Sequence, residues 1–147
     1  MTASSSTPDA ASPERPRVLL ADDHPEMLAL MARVLESAYF VVGSAVDGLA
    51  LLTEAERLRP DVIVLDITMP RLDGIEAARR LRSSNNPARL VFLTVHEDRD
   101  FARAAIDAGG LAYVVKRRLT SDLLPAMRAA LADRRFVSPT ISLGQNA

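Results

Sequence analysis

Five positions in this chain carry groups that could do chemistry together. Asp22 and Asp23 are adjacent, Asp66 follows Val62-Ile63-Val64-Leu65, Thr94 lies near the end of the run Leu90–Val95, and Lys116 directly follows Leu111–Val115. Each stands at the end of a short apolar run. Taken singly they are ordinary: an aspartate after a strand often caps a helix, and a strand threonine can satisfy its own backbone. Taken together they are costly. Carboxylates about 4 Å apart repel by about 1 kcal/mol per pair in water and by about 4 kcal/mol at an effective dielectric of 20. A fold tolerates that best when a cation or a proton occupies the site. With oxygen ligands, no cysteine and only His24 and His96 in the whole chain, Mg2+ is favoured over Zn2+. A carboxylate beside Mg2+ can attack phosphorus and form an aspartyl phosphate. Asp66, from the central run, is the best nucleophile. Asp22 and Asp23 then belong to the metal, and Thr94 and Lys116 can each hold a phosphoryl oxygen. Of the 18 basic residues only Lys116 is lysine, which fits a position that needs a compact ammonium instead of a planar guanidinium.

The elements that must position these groups alternate along the chain. The apolar runs Val18–Ala21, Tyr39–Val42, Val62–Leu65, Leu90–Val95 and Leu111–Val115 are nearly continuous, as strands buried on both faces of a parallel sheet should be. Val41-Val42-Gly43-Ser44 has the most polar tail and suits an edge strand. Between the runs, apolar residues recur with a period near 3.6. Leu28, Met31 and Leu35 follow Pro25; Leu51, Leu52, Ala55 and Leu58 follow Asp47; Ile75, Ala78 and Leu81 follow Asp73. Phe101, Ala105 and Ala108 precede Gly109-Gly110, a helix stop. Leu123, Leu124, Met127 and Leu131 follow Thr120 and Ser121, with Pro125 tolerable only near the first turn. The pattern is (βα)5. It predicts an α/β doubly wound parallel sheet with the flavodoxin-like strand order 2-1-3-4-5. In that order ligands bind beyond the carboxyl ends of the strands, near the switch between strands one and three. All five chemical positions fall there.

The 147 residues suit one domain. Residues 1–16, rich in Ser, Ala and Pro, read as a disordered arm; residues 17–136 as the folded domain; residues 137–147 as a tail. The absence of cysteine excludes a disulfide scaffold and a thiol nucleophile, and a formal net charge of −1 gives no general attraction to nucleic acid. No apolar run approaches the roughly 20 residues of a membrane span. The start of the chain carries no secretory pattern, so no membrane partner and a cytoplasmic location are expected.

Four segments together resemble the receiver domain of bacterial two-component response regulators. They are Leu20-Ala21-Asp22-Asp23-His24-Pro25, Val64-Leu65-Asp66-Ile67-Thr68-Met69-Pro70 with Asp73-Gly74, Leu93-Thr94-Val95-His96, and Tyr113-Val114-Val115-Lys116. The Asp-His-Pro opening and the Leu-Thr-Val-His segment are most similar to the NarL/FixJ-like, LuxR-type branch. The resemblance implies that Asp66 accepts phosphate from a histidine kinase or phosphotransfer protein. It implies that Asp22, Asp23 and Asp66 hold Mg2+ with the backbone carbonyl of Thr68, and that Lys116 contacts the phosphoryl group. It further implies that Thr94 moves toward that group on activation while Tyr113 reorients as space opens. The chain departs from the family where Arg117-Arg118 follow Lys116, in place of the usual proline or the aspartate of the NarL-like branch, and at Gly109-Gly110.

The function expected is a phospho-accepting switch, not an enzyme with a separate substrate, whose output is an unknown partner protein or a homodimer. Regulators of this branch usually continue into a helix-turn-helix domain. No basic recognition helix is legible here, so a stand-alone receiver without direct DNA binding is expected. Two alternatives compete. A pseudo-receiver, a pure interaction module, would be expected to lack one of Asp23, Asp66 or Lys116. A Mg2+-dependent phosphohydrolase of the haloacid-dehalogenase type would be expected to carry an acid two positions after the nucleophile, where this chain has Thr68.

Overall fold

The computed structural model describes residues 15–141. The elements alternate as β1 (Arg17–Ala21), α1 (Pro25–Leu35), β2 (Phe40–Ala45), α2 (Gly48–Leu58), β3 (Val62–Leu65), α3 (Gly74–Ser83), β4 (Arg89–Thr94), α4 (Arg99–Asp107) and β5 (Gly110–Val115). A 3-10 turn over Lys116–Arg118 then leads into α5 (Leu119–Leu131), and β6 (Phe136–Val137) follows. The sheet order is β2-β1-β3-β4-β5-β6, with every pairing parallel. The doubly wound order 2-1-3-4-5 is present, and a sixth strand extends it.

Alternation within each strand divides the core into two layers. Leu19, Ala21, Ile63, Leu65 and Phe92 pack with α2, α3 and α4 on one face. Val18, Leu20, Val62, Val64 and Val91 pack with α1 and α5 on the other. This explains why the strand runs read as continuously apolar: neither face meets water. The helices start where the sequence puts capping groups. Asp47 Oδ1 accepts the Ala50 amide at 2.7 Å, and Asp73 Oδ1 accepts the Glu76 amide at 2.8 Å.

Three local readings differ from the sequence expectation. The second strand begins one residue later and runs to Ala45, because Ser44 and Ala45 still pair with Leu20 and Ala21 at the sheet's outer edge. Tyr39 lies before it, with its ring buried against α1 and α5. Pro125 sits in the second turn of α5, not the first, because the helix starts at Leu119, straight after the 3-10 turn. Ser121, whose carbonyl Pro125 cannot partner, is exposed to water. The third difference is at the end. Phe136 and Val137 pair with Ala112 and Tyr113, while Ser138 and Ile141 are buried, so packed structure continues past Phe136. The arm read over residues 1–16 and the last residues of the tail fall largely outside the described residues.

Gly109-Gly110 is required by packing. Gly109 has φ +120°, and a Cβ on Gly110 would stand 2.8 Å from the Phe92 ring. Gly74, the first residue of α3, is tighter still. A Cβ there would fall 1.9 Å from the carbonyl oxygen of Asp66, while the Gly74 amide donates to Ile67 O at 2.7 Å. The start of α3 is thereby pinned against the end of β3. Gly74→Ala is expected to cost about 1–3 kcal/mol through this backbone clash, read as a lower urea midpoint at unchanged slope.

Candidate functional site

The site grows from the register of the sheet. Ala21 pairs with Leu65, Leu65 with Phe92, and Thr94 with Val115, so the chain leaves β1, β3, β4 and β5 at one edge. Backbone amides fix the first two exits: Asp22 N donates to Ala45 O and Asp66 N to Ala21 O, each at 3.0 Å. Asp22, Asp66 and Thr94 are buried at this edge, and Asp23 is half-buried beside them.

Lys116 is the common partner. Its Nζ lies 2.7 Å from Asp22 Oδ2 and 2.9 Å from Asp66 Oδ2, with a side chain 9% exposed. Burial opposes the charge on this ammonium, but the hydrogen bonds and charges of Asp22 and Asp66 outweigh it and hold its pKa above the ordinary lysine value. The other Asp66 oxygen, Oδ1, accepts the Ile67 amide at 2.7 Å. Asp66 is thus oriented by one backbone donor and one lysine.

Asp22 and Asp23 meet a group that the sequence reading did not place at the site. His24 Nδ1 lies 3.1 Å from Asp22 Oδ1 and 3.1 Å from Asp23 Oδ1. The hydrogen bond to Asp22, then the charge of Asp23, raise the His24 pKa above its ordinary 6.5. Among the described residues, Asp22, Asp23 and His24 are the group whose ligand atoms lie close enough to share a metal, all within 4.8 Å of one another. Asp66 stands apart from that group, held by Lys116. The shielded Oδ1 of Asp23 is met by His24 Nδ1 as a neighbouring charge and receives no well-aligned hydrogen bond. A hard divalent cation beside buried carboxylate oxygens would satisfy it, so these residues fit Mg2+. The sequence signal for His24 was its position directly after Asp23, which one motif alone could not separate from a helix-start residue.

Thr94 and Tyr113 belong to a second network. Tyr113 is fully buried on β5, and its hydroxyl donates to the carbonyl of His96 at 2.9 Å. Burial, then the charges of Asp98 and Asp66, push its pKa up. His96 in turn stacks on Phe101 of α4, ring centroids 4.1 Å apart, and its Nε2 lies 2.7 Å from Thr68 Oγ1. The Thr94 hydroxyl lies 3.4 Å from the His96 amide. His96, read from the sequence only as part of a motif, therefore joins the loop after β3, the loop after β4, and β5. Arg117 pairs with Glu97, its Nη2 donating to Oε1 at 2.8 Å.

The family model described as response regulator receiver domain matches residues 18–128. The chain belongs to the response regulator receiver family. It is 40% identical over 139 residues to the transcriptional regulatory protein PdtaR of Mycobacterium tuberculosis, covering 94% of this chain and 66% of that protein. It is 34% identical to the response regulator GacA of Pseudomonas viridiflava, covering 86% and 60%. The chain thus spans less than two thirds of the length of these curated relatives. Among solved structures, a LuxR-family two-component response regulator from an Aurantimonas species superposes with TM-score 0.85 at 34% identity, covering 90% of this chain and 98% of that one. The signal receiver domain of NarL from Mycobacterium tuberculosis superposes with TM-score 0.79 at 31% identity, covering 83% and 100%. The chain therefore carries a receiver domain of two-component signalling. Receivers generally bind Mg2+ at an acidic pocket and interact with histidine kinases and output domains. No helix among the described residues is long and apolar enough to cross a membrane.

The receiver's acidic corner makes one prediction about titration. A histidine whose folded pKa is raised contributes stability below pH 6.5, and that contribution is lost as pH rises through the folded value. The His24 ring is expected to titrate above 6.5 by NMR, and Asp22→Asn is expected to bring it back toward the ordinary value. Equal titration in the two proteins would contradict the contact.

Proposed function

We propose that this receiver accepts a phosphoryl group on Asp66 from a histidine kinase or phosphotransfer protein, in a Mg2+-dependent reaction, and passes the change to a partner. The observation that carries the reading is the buried Asp66 carboxylate at the end of β3, held by Lys116 Nζ at 2.9 Å with Asp22 2.7 Å away on the same ammonium. An Asp66 oxygen attacks phosphorus. The new O–P bond replaces the N–P bond of the donor phosphohistidine, whose imidazole leaves with the electron pair and takes up a proton. Asp22, Asp23, Asp66 and the carbonyl of Thr68 would hold Mg2+, which supplies charge neutralisation at the phosphoryl oxygens. Lys116 is the residue that can follow the negative charge from the carboxylate to a phosphoryl oxygen. Thr94, at the end of β4, would donate its hydroxyl to another, and Tyr113 would reorient with it.

The contacts of Thr68 support a switch over a phosphohydrolase. A hydrolase of the competing type would need an acid there, and the Thr68 hydroxyl is engaged with His96 instead. Asp22, Asp23, Asp66 and Lys116 all meet at one edge, which weighs against a pseudo-receiver.

Intact mass after incubation with a small-molecule phosphodonor and Mg2+ tests the reading. Wild type is expected to gain about 80 Da, one phosphoryl group, and Asp66→Asn to gain nothing. Chelation of the metal should abolish the gain. Equal labelling of Asp66→Asn would mean a different acceptor, and no labelling of wild type with several donors would favour the pseudo-receiver. Asp23→Ala is expected to weaken Mg2+ binding at least tenfold by calorimetry, and wild-type affinity in that variant would remove Asp23 from the metal site.

A further inference from the structure

Tyr113 stands on β5, which would be the sheet's edge strand if nothing lay beyond it. An aromatic on an edge strand is ordinarily half-buried, yet Tyr113 has no exposure. The cover comes from residues 136–141. Val137 pairs with Tyr113 in the register of β6, and the Ser138 amide donates to the Tyr113 carbonyl at 2.9 Å. Ile141 is 8% exposed and belongs to the same apolar cluster as Tyr113, Val115 and Phe92, with Val137 packed against it.

The same segment is tied to both sides of Lys116. Ser138 Oγ accepts the Val115 amide at 3.2 Å and donates to Asp122 Oδ2 at 2.7 Å. Asp122 also accepts Arg118 Nε at 2.8 Å, Arg118 Nη2 at 3.2 Å and Ser121 Oγ at 3.0 Å. Val115 immediately precedes Lys116, and Arg118 ends the 3-10 turn that Lys116 begins. Ser138 and Asp122 are themselves buried and lie in neither the carboxylate group nor the Thr94 network.

We propose that Phe136–Ile141 is a positioning strap: by covering Tyr113 and fixing the backbone on either side of Lys116, it favours the arrangement that receives the phosphoryl group. The proposal rests on the function proposed above. In that function Thr94 donates to the phosphoryl group and Tyr113 reorients with it, into the space that opens. A buried Tyr113, hydrogen-bonded to His96 O, is the arrangement in this structure. A segment that packs on Tyr113 in that arrangement stabilises it, and by linkage strengthens binding of the group that requires it. If the competent arrangement is populated only in part without the strap, apparent affinity falls by that fraction.

Beryllofluoride with Mg2+, a phosphoryl analogue, tests this on the full chain. Ser138→Ala and Ile141→Ala are compared with wild type and with the conservative Ile141→Val, each first checked for native circular dichroism. Tyr39 and Tyr113 are the only tyrosines, so fluorotyrosine labelling in a Tyr39→Phe background gives one resonance for Tyr113. Both alanine variants are expected to bind beryllofluoride about fivefold or more weakly. They should also show a second Tyr113 resonance that the analogue suppresses, and Ile141→Val should restore most of the affinity. Folded variants with lowered urea midpoints, wild-type affinity and a single Tyr113 resonance would reduce the strap to a structural role and overturn the proposal. Wild type that binds no beryllofluoride would overturn the phosphoacceptor reading itself, and this inference with it.

Discussion

Everything at the sheet edge depends on the Lys116 ammonium shared between Asp22 and Asp66. Two buried carboxylates brought to one cation repel each other and lose water, and neither cost is tolerable alone. Removing one member of such a buried group leaves the others uncompensated, typically at about 3–5 kcal/mol. In the proposed function, an ammonium held between two carboxylates can be redirected when new negative charge arrives. Arginine, abundant elsewhere in the chain, would fork across both oxygens and hold them. A compact ammonium on a flexible stem can turn.

The sheet makes this convergence possible by geometry that no loop could match. Parallel register delivers the ends of β1, β3, β4 and β5 to one line, and each chemical residue is the last of its strand or lies within two residues of its end. Gly74 then draws the start of α3 onto the Asp66 backbone, which fixes the loop that carries Thr68. Core packing on both faces makes the strands stiff, so Asp66 and Lys116 keep their separation while the loops around them can rearrange.

Legibility in the sequence followed the strength of the physical signal. Strands buried on both faces produce unbroken apolar runs, and these gave the order of elements and the edge on which the site lies. Lys116 stood out because the chain otherwise uses arginine. The Thr68–His96–Tyr113 contacts had no such signal: they join three segments far apart in sequence, through a side chain whose type alone favours no partner. His24 was hidden for a related reason, since a histidine after two aspartates reads equally as a helix-start residue. β6 was hidden by brevity. Two residues, Phe136-Val137, between Arg134-Arg135 and Ser138-Pro139, carry no periodicity. Only the vacant side of β5 recruits them.

Recruitment of so short a strand needs an energetic reason, and the polar contacts supply it. A two-residue ladder is marginal by itself. Ser138 adds a hydrogen bond to Val115 and another to a carboxylate that Arg118 and Ser121 already hold. Burial raises the Asp122 pKa, but the hydrogen bonds from Arg118, Ser138 and Ser121 reverse that effect and lower it, so the ionised form is the one the fold selects. A carboxylate depressed on folding supports stability above its ordinary range, and that support is lost as pH falls through the folded value. The strap and the turn after Lys116 are therefore joined through one satisfied buried charge, and displacement of either leaves that charge short of a donor. Such a junction has few intermediate arrangements, which is the property a switch requires of the parts that must move together.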